Sequence, residues 1–259
     1  MVANVLVYSF NLIRKKPKIV LPELLYWIVL ALVIVLFYLV SINMTNFFIP
    51  AKSSLVYTNL ISNLIPFSIF MILIFVVAVY IQGIYPDIVR QAFTKKDIVL
   101  TESFKTARKR FCSLLWTNIL LILLIMLIIG GAAALLIGML GILKIVSPLI
   151  GIMLVLGFIV ATIFGIPGIY MLSTVVVLEN LSGIAAIKRS FALSRGRVLS
   201  IWGVIFLIGI FSMGLYVLIL VPVIGLLLYV PISLFVATWS KNASTSYYFL
   251  REKKMKPKL

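Results

Sequence analysis

The chain has 259 residues, 64% of them hydrophobic, and carries 23 Lys and Arg against six Asp and Glu, with no His. A mean hydropathy of +1.26 and an apolar fraction far above the roughly 45–50% of soluble domains exclude an ordinary water-soluble fold and point to a bilayer. The net charge of +17 does not imply nucleic acid as a partner, because the basic residues flank apolar runs instead of forming a polar domain, a pattern that topology and anionic headgroups explain.

In chain order, Leu6, Phe10 and Ile13 keep helical spacing and precede Arg14, Lys15, Lys16 and Lys18. This predicts an amphipathic helix lying in the membrane interface. A first span is expected over Ile19 to Ile42, since about 20 apolar residues cross the hydrocarbon core. Glu23 lies one turn inside it, beside Pro22, and is expected to form an interfacial ion pair with Arg14 or Lys18. The segment from Asn43 to Leu64 is the one external stretch long enough to contact a partner. It is expected to hold a re-entrant or interfacial helix, and it contains the sequon Asn43-Met44-Thr45.

A second span is expected over Ile65 to Tyr85 and carries Gln82. Phe104, Ala107 and Phe111 mark a second surface helix, and a third span follows over Ser113 to Ile137 with Asn118 near its start. The fourth, Pro148 to Leu178, is overlong at about 46 Å. Its Gly165-Ile166-Pro167-Gly168 predicts a kink or a tilted entry. After Glu179, Ile184, Ile187 and Phe191 mark a third surface helix that includes Arg189. Spans five and six are expected over Val198 to Leu220 and Leu226 to Phe249.

Only Lys52 and Lys144 fall on the far side of these spans, so 21 of the 23 basic residues lie on one side. The positive-inside bias places both termini in the cytoplasm. The expected location is the cell membrane of a prokaryote, as a multi-pass protein with no signal peptide. Cys112 is the sole cysteine, which excludes an intrachain disulfide.

Three copies of one pattern punctuate the chain. They are Ser9-Phe10 with Arg14 and Lys16, Ser103-Phe104 with Arg108 and Arg110, and Ser190-Phe191 with Arg195 and Arg197. A second echo pairs Gly83-Ile84-Tyr85 with Gly168-Ile169-Tyr170. The expected fold is all-α: one membrane domain over residues 1–259, with six transmembrane helices. They form three parallel repeats of a surface helix plus a transmembrane hairpin, at about 1–90, 91–178 and 179–259, related by a pseudo-threefold axis along the membrane normal. Within each copy the Arg four positions after Phe lies about 40° round the helix, beside the apolar stripe. The pattern reads first as a topology anchor and elbow docked on the bundle. Its second reading is a lipid-headgroup or partner site built from Arg14, Lys16, Arg108, Arg110, Arg195 and Arg197, with Phe10, Phe104 and Phe191 as interfacial anchors.

No catalytic or metal-binding constellation accompanies the repeat, and no cofactor is implied. No acid or base lies near the centre of a span, where ion-coupled pumps place ionisable groups. The polar residues within spans, Gln82, Asn118, Ser173, Thr174 and Ser212, read first as hydrogen bonds between helices, and second as the lining of a path.

The stretch from Val175 to Arg197, with Glu179, Asn180, Ser182, Lys188, Arg189, Ser190, Phe191 and Arg195, followed by Trp202, resembles the signature of a six-span group. This is the membrane domain attached to some glycerophosphoryl diester phosphodiesterases, together with stand-alone prokaryotic relatives. The resemblance implies a multi-pass membrane domain with Glu179, Arg189 and Arg195 at its most recognisable loop. It does not carry the activity, because a chain without His cannot build that enzyme's acid, base and metal-ligand set. The expected function is a non-enzymatic integral membrane protein that organises anionic membrane lipid, or another membrane protein, through a basic cytoplasmic face. The alternative is a transporter or channel for a lipid-like or uncharged small molecule. A continuous polar cavity along the axis would favour transport, and a packed apolar core with a flat basic face would favour the scaffold.

Overall fold

The structure is a computed structural model whose backbone is described for residues 2–47, 55–94, 97–142, 148–219 and 224–251; side chains at 40–65, which include the sequon and the outer segment, and at 128–129, 132–155, 158–160, 216–227 and 251 lie outside the described residues. The described chain is helical. Its elements are α1 (Val2–Lys15), a 3-10 turn (Pro17–Val20), α2 (Leu21–Phe47), α3 (Leu55–Gln82), α4 (Tyr85–Thr94), α5 (Leu100–Ile142), α6 (Pro148–Leu178), α7 (Gly183–Ser194), α8 (Val198–Ile219) and α9 (Ile224–Arg251).

Among the described residues, five helical stretches are long and apolar enough to cross a membrane: Pro17–Leu39, Pro66–Thr94, Leu100–Leu127, Ala161–Leu178 and Val198–Leu215. Their outer faces are apolar. Leu24, Ile28, Leu32, Leu123, Leu127, Phe206 and Met213 are all exposed, a surface that a soluble protein avoids and a lipid bilayer matches. The sixth expected span coincides with α9, whose second half carries Lys241, Asn242, Ser244, Thr245 and Ser246 and is correspondingly polar.

Local sequence explains where the helices break. After the first Ser-Phe, Pro17 removes a backbone donor and the chain tightens into the 3-10 turn before α2. After the third, Gly196 adopts φ +76°, a left-handed conformation suited to glycine, between α7 and α8. Between Ser103 and Ser113 there is neither proline nor glycine. The expected second surface helix and third span are therefore one continuous helix, α5, of 43 residues, about 65 Å long. Span two differs as well. It ends at Gln82, bends at Gly83 and Ile84, and resumes as α4.

The long helices pack as hairpins α2/α3, α5/α6 and α8/α9. Each Ser-Phe segment rests on the return helix that precedes it around the bundle: the first turns of α5 on α3 and α4, α7 on α6, and α1 on α9. The inner ends of the three return helices, α4, α6 and α9, pack on one another. Tyr85, Ile88 and Phe93 of α4, Leu172, Val175 and Val176 of α6, and Tyr248 and Phe249 of α9 make the apolar core there. A second cluster joins α1, α8 and α9 through Val5, Ile13, Ile201, Val204 and Trp239.

Candidate functional site

The three Ser-Phe segments occupy similar environments. Ser9, Ser103 and Ser190 are completely buried, because a small hydroxyl can satisfy itself locally and let a neighbouring helix approach. Ser9 Oγ donates to Val5 O at 2.8 Å and accepts from Trp239 Nε1 at 2.9 Å. Ser103 Oγ donates to Asp87 Oδ2 at 2.9 Å, and Ser190 Oγ to Ile187 O at 2.9 Å. Each Phe seats on the preceding return helix. Phe10 stands edge-on to Phe235 and Trp239 with centroids at 5.3 and 6.1 Å, Phe104 tilts against Tyr80 at 6.4 Å, and Phe191 covers Gly168. Arg14, Arg108 and Arg195 are exposed, whereas Lys16, Arg110 and Arg197 are half-buried. Tyr8, beside the first copy, packs on Phe93, and burial pushes its phenol above the ordinary value.

Three acidic residues, Asp87, Glu179 and Glu23, serve as clasps between elements. Asp87, fully buried at the start of α4, accepts from Arg90, from Gln91 Nε2 at 2.7 Å and from Ser103, while Gln91 Oε1 accepts from Val99 N at 2.7 Å. That network fixes the start of α5 on α4. Glu179 takes a two-point grip from Arg189 at 2.8 and 3.2 Å and a hydrogen bond from Tyr248 at 2.9 Å. The intervening loop turns through Asn180 and Gly183, both with positive φ, and Gly183 N donates to Thr117 Oγ1 at 2.8 Å. The loop from Glu179 to Gly183 thus holds α6, α7, α5 and α9 together.

Glu23 is buried, and its partner differs from the expected Arg14 or Lys18. Lys241 Nζ of α9 donates to Glu23 Oε2, and the Tyr85 hydroxyl donates to the same oxygen at 3.3 Å. The Lys241 ammonium also lies 5.5 and 5.4 Å from the ring centroids of Tyr26 and Tyr85, within cation–π range. Arg14 and Lys18 are exposed instead.

Beside this pair opens a cavity of about 220 Å³, lined by Gln82, Tyr85, Ile169, Tyr170, Ser173, Ser240, Lys241 and Ser244. It draws residues from all three return helices. Ser240 is shared with two further cavities of about 330 and 310 Å³. One lies along Ile166, Tyr170, Ile205, Ile208 and Ser212, the other along Trp27, Ser212, Leu215, Tyr229 and Ser233. Ser244 Oγ is committed to Tyr170 O at 2.6 Å and Tyr170 OH to Ser240 O at 2.8 Å. By contrast the side chains of Gln82 and Ser173, from α3 and α6, make no hydrogen bond to another described residue, whereas the Ser240 hydroxyl bonds with Tyr170. Of the polar span residues, Gln82, Ser173 and Ser212 therefore line cavities. Thr174 bonds Thr245 at 3.0 Å, and Asn118 bonds Leu114 O at 2.9 Å. Toward the basic end the core at Ile88, Val176 and Phe93 is packed shut.

Among the described residues, no group of three or more His, Cys, Asp or Glu side chains could hold a metal ion. No protein-family model, curated protein or solved structure matches the chain.

Proposed function

We propose that this is a non-enzymatic, multi-pass membrane protein that binds a lipid-like molecule between its return helices, as a carrier or passage for it. The observation that carries this reading is the set of adjoining cavities meeting at Ser240, apolar along α6 and α8 and hydrogen-bonding where Gln82, Ser173 and Ser240 converge. Pockets for small amphipathic molecules combine a mostly apolar wall with a few convergent polar groups. In the proposed topology α9 is the sixth span, both termini are cytoplasmic, and the chain sits in the cell membrane of a prokaryote. The proposal includes three units about a pseudo-threefold axis, and support for it comes from the way each Ser-Phe segment seats on a return helix and the return helices pack on one another. Kinship with the six-span phosphodiesterase-associated membrane domain belongs to the same proposal. Support for it comes from Glu179 and Arg189 of the signature loop, which with Tyr248 tie α6, α7 and α9 together.

A second role, organisation of anionic lipid at the cytoplasmic face, is favoured by the exposure of Arg14, Arg108 and Arg195 on three equivalent segments. One experiment separates the two. Photoreactive lipids crosslinked in membranes and mapped by mass spectrometry should label peptides bearing Gln82, Ser173 and Ser240, and replacing Ser240 with Trp should abolish that labelling. Replacing the three arginines by Gln should lower copurifying anionic lipid and leave the interior labelling unchanged. Interior peptides that remain unlabelled while the arginine variant loses its lipid would leave the scaffold role alone.

A further inference from the structure

Lys241 is the one charged group among the described residues that line these three cavities. A lone ammonium facing an apolar groove recruits a phosphate. This one is already engaged: Glu23, only 3% exposed, accepts its proton-bearing end from behind the wall, the Tyr85 hydroxyl shares that carboxylate at 3.3 Å, and the rings of Tyr26 and Tyr85 flank the charge. A phosphate drawn to Lys241 would share that ammonium, which has three donors, with a buried carboxylate that already balances its charge and repels a second anion at short range, and displacing Glu23 outright would leave a buried carboxylate without its cation. The free groups at the same cavity are the Gln82 amide and the Ser173 hydroxyl, each able to donate and accept without any charge.

We infer that the Glu23 and Lys241 pair makes this cavity selective for a lipid with an uncharged, oxygen-bearing head, such as an acylglycerol, over the corresponding phospholipid. The inference rests on the lipid-binding reading above and names the ligand class of that same site. Glu23 is a specificity-determining residue here through Lys241, not through contact with the ligand.

Two photoreactive probes with identical acyl chains, a diacylglycerol and a phosphatidic acid, test it in vesicles of phosphatidylcholine holding the full chain. The readout is the ratio of their crosslinks on the peptides that carry Gln82, Ser173 and Ser240. The wild-type protein should favour diacylglycerol. Glu23→Gln, which frees the ammonium, should shift the ratio about tenfold toward phosphatidic acid, as one unscreened charge near a protein surface allows. Lys241→Met should shift it the other way, since the remaining carboxylate repels a phosphate. A ratio unmoved by both variants, or a wild-type preference for phosphatidic acid, overturns the selectivity while the site stands. If neither probe labels these peptides, the lipid-binding reading falls and the selectivity with it. Should Glu23→Gln fail to insert, Lys241→Met decides: a drop in phosphatidic acid labelling supports the inference and an unchanged ratio overturns it.

Discussion

Two glycines in matching positions seat the segments that follow them, and their surroundings differ. A Cβ added at Gly168 would come within 2.9 Å of the Phe191 ring, whereas one at Gly83 would meet the terminal methyl of Leu114 at 2.5 Å. A leucine end can swing aside, but a ring pressed flat on the backbone must move as a whole. Gly168→Ala should therefore cost about 1–3 kcal/mol in thermal unfolding in detergent, and more than Gly83→Ala. Equal losses would mean that Phe191 is loosely held. At this scale the sequence was informative where a residue contrasts with its neighbours. Gln82, Ser173 and Ser212 stand out as polar groups in apolar runs, and all three reach a cavity. Ser240 was hidden, because six of the seven residues from Ser240 to Ser246 are polar and the stretch reads as the end of a span. The partner of Glu23 was hidden for another reason. Lys241 is 218 positions away, and only the closure of the fold brings them together, while Arg14 and Lys18 are near in sequence alone.

Helix boundaries followed local chemistry closely where proline and glycine punctuate the chain. The fourth expected span, Pro148 to Leu178, coincides with α6, and α8 begins at the expected Val198. The misreadings have the same origin. Basic residues between Phe104 and Ser113 looked like a boundary, yet charge alone does not stop a helix, and Lys and Arg are good helix formers. Without a proline or glycine there, α5 runs through. Gly196 shows the converse, since its φ of +76° is what lets α7 turn into α8. Gly196→Ala forces an L-residue into that conformation, at roughly 1–2 kcal/mol. The melting temperature should fall by an amount that the same substitution at Gly209, inside α8 with open space around it, does not reproduce. If both variants melt alike, the turn tolerates a rearranged backbone.

Across the whole molecule, composition announced the membrane and the basic residues set an orientation that remains a prediction. Reporter fusions after Lys52 and Lys144 should read outside, and fusions after Lys96, Arg189 and Leu259 inside; one reversed site breaks the six-span topology. Periodicity and motif spacing could suggest three units but not how they meet, because the contacts between α4, α6 and α9 join positions far apart in the chain. The seat of α1 on α9 carries a consequence for biogenesis. Trp239 holds Ser9 across 230 positions, so α1 is translated some 230 residues before the residue that seats it. Until α9 arrives, α1 has Phe93 of α4 and later α8 to pack on but lacks the Trp239 side of its seat. Translation order thus makes the α1–α9 contact form after the other contacts of α1, and a chain arrested before α9 is marked by an α1 that is only partly docked.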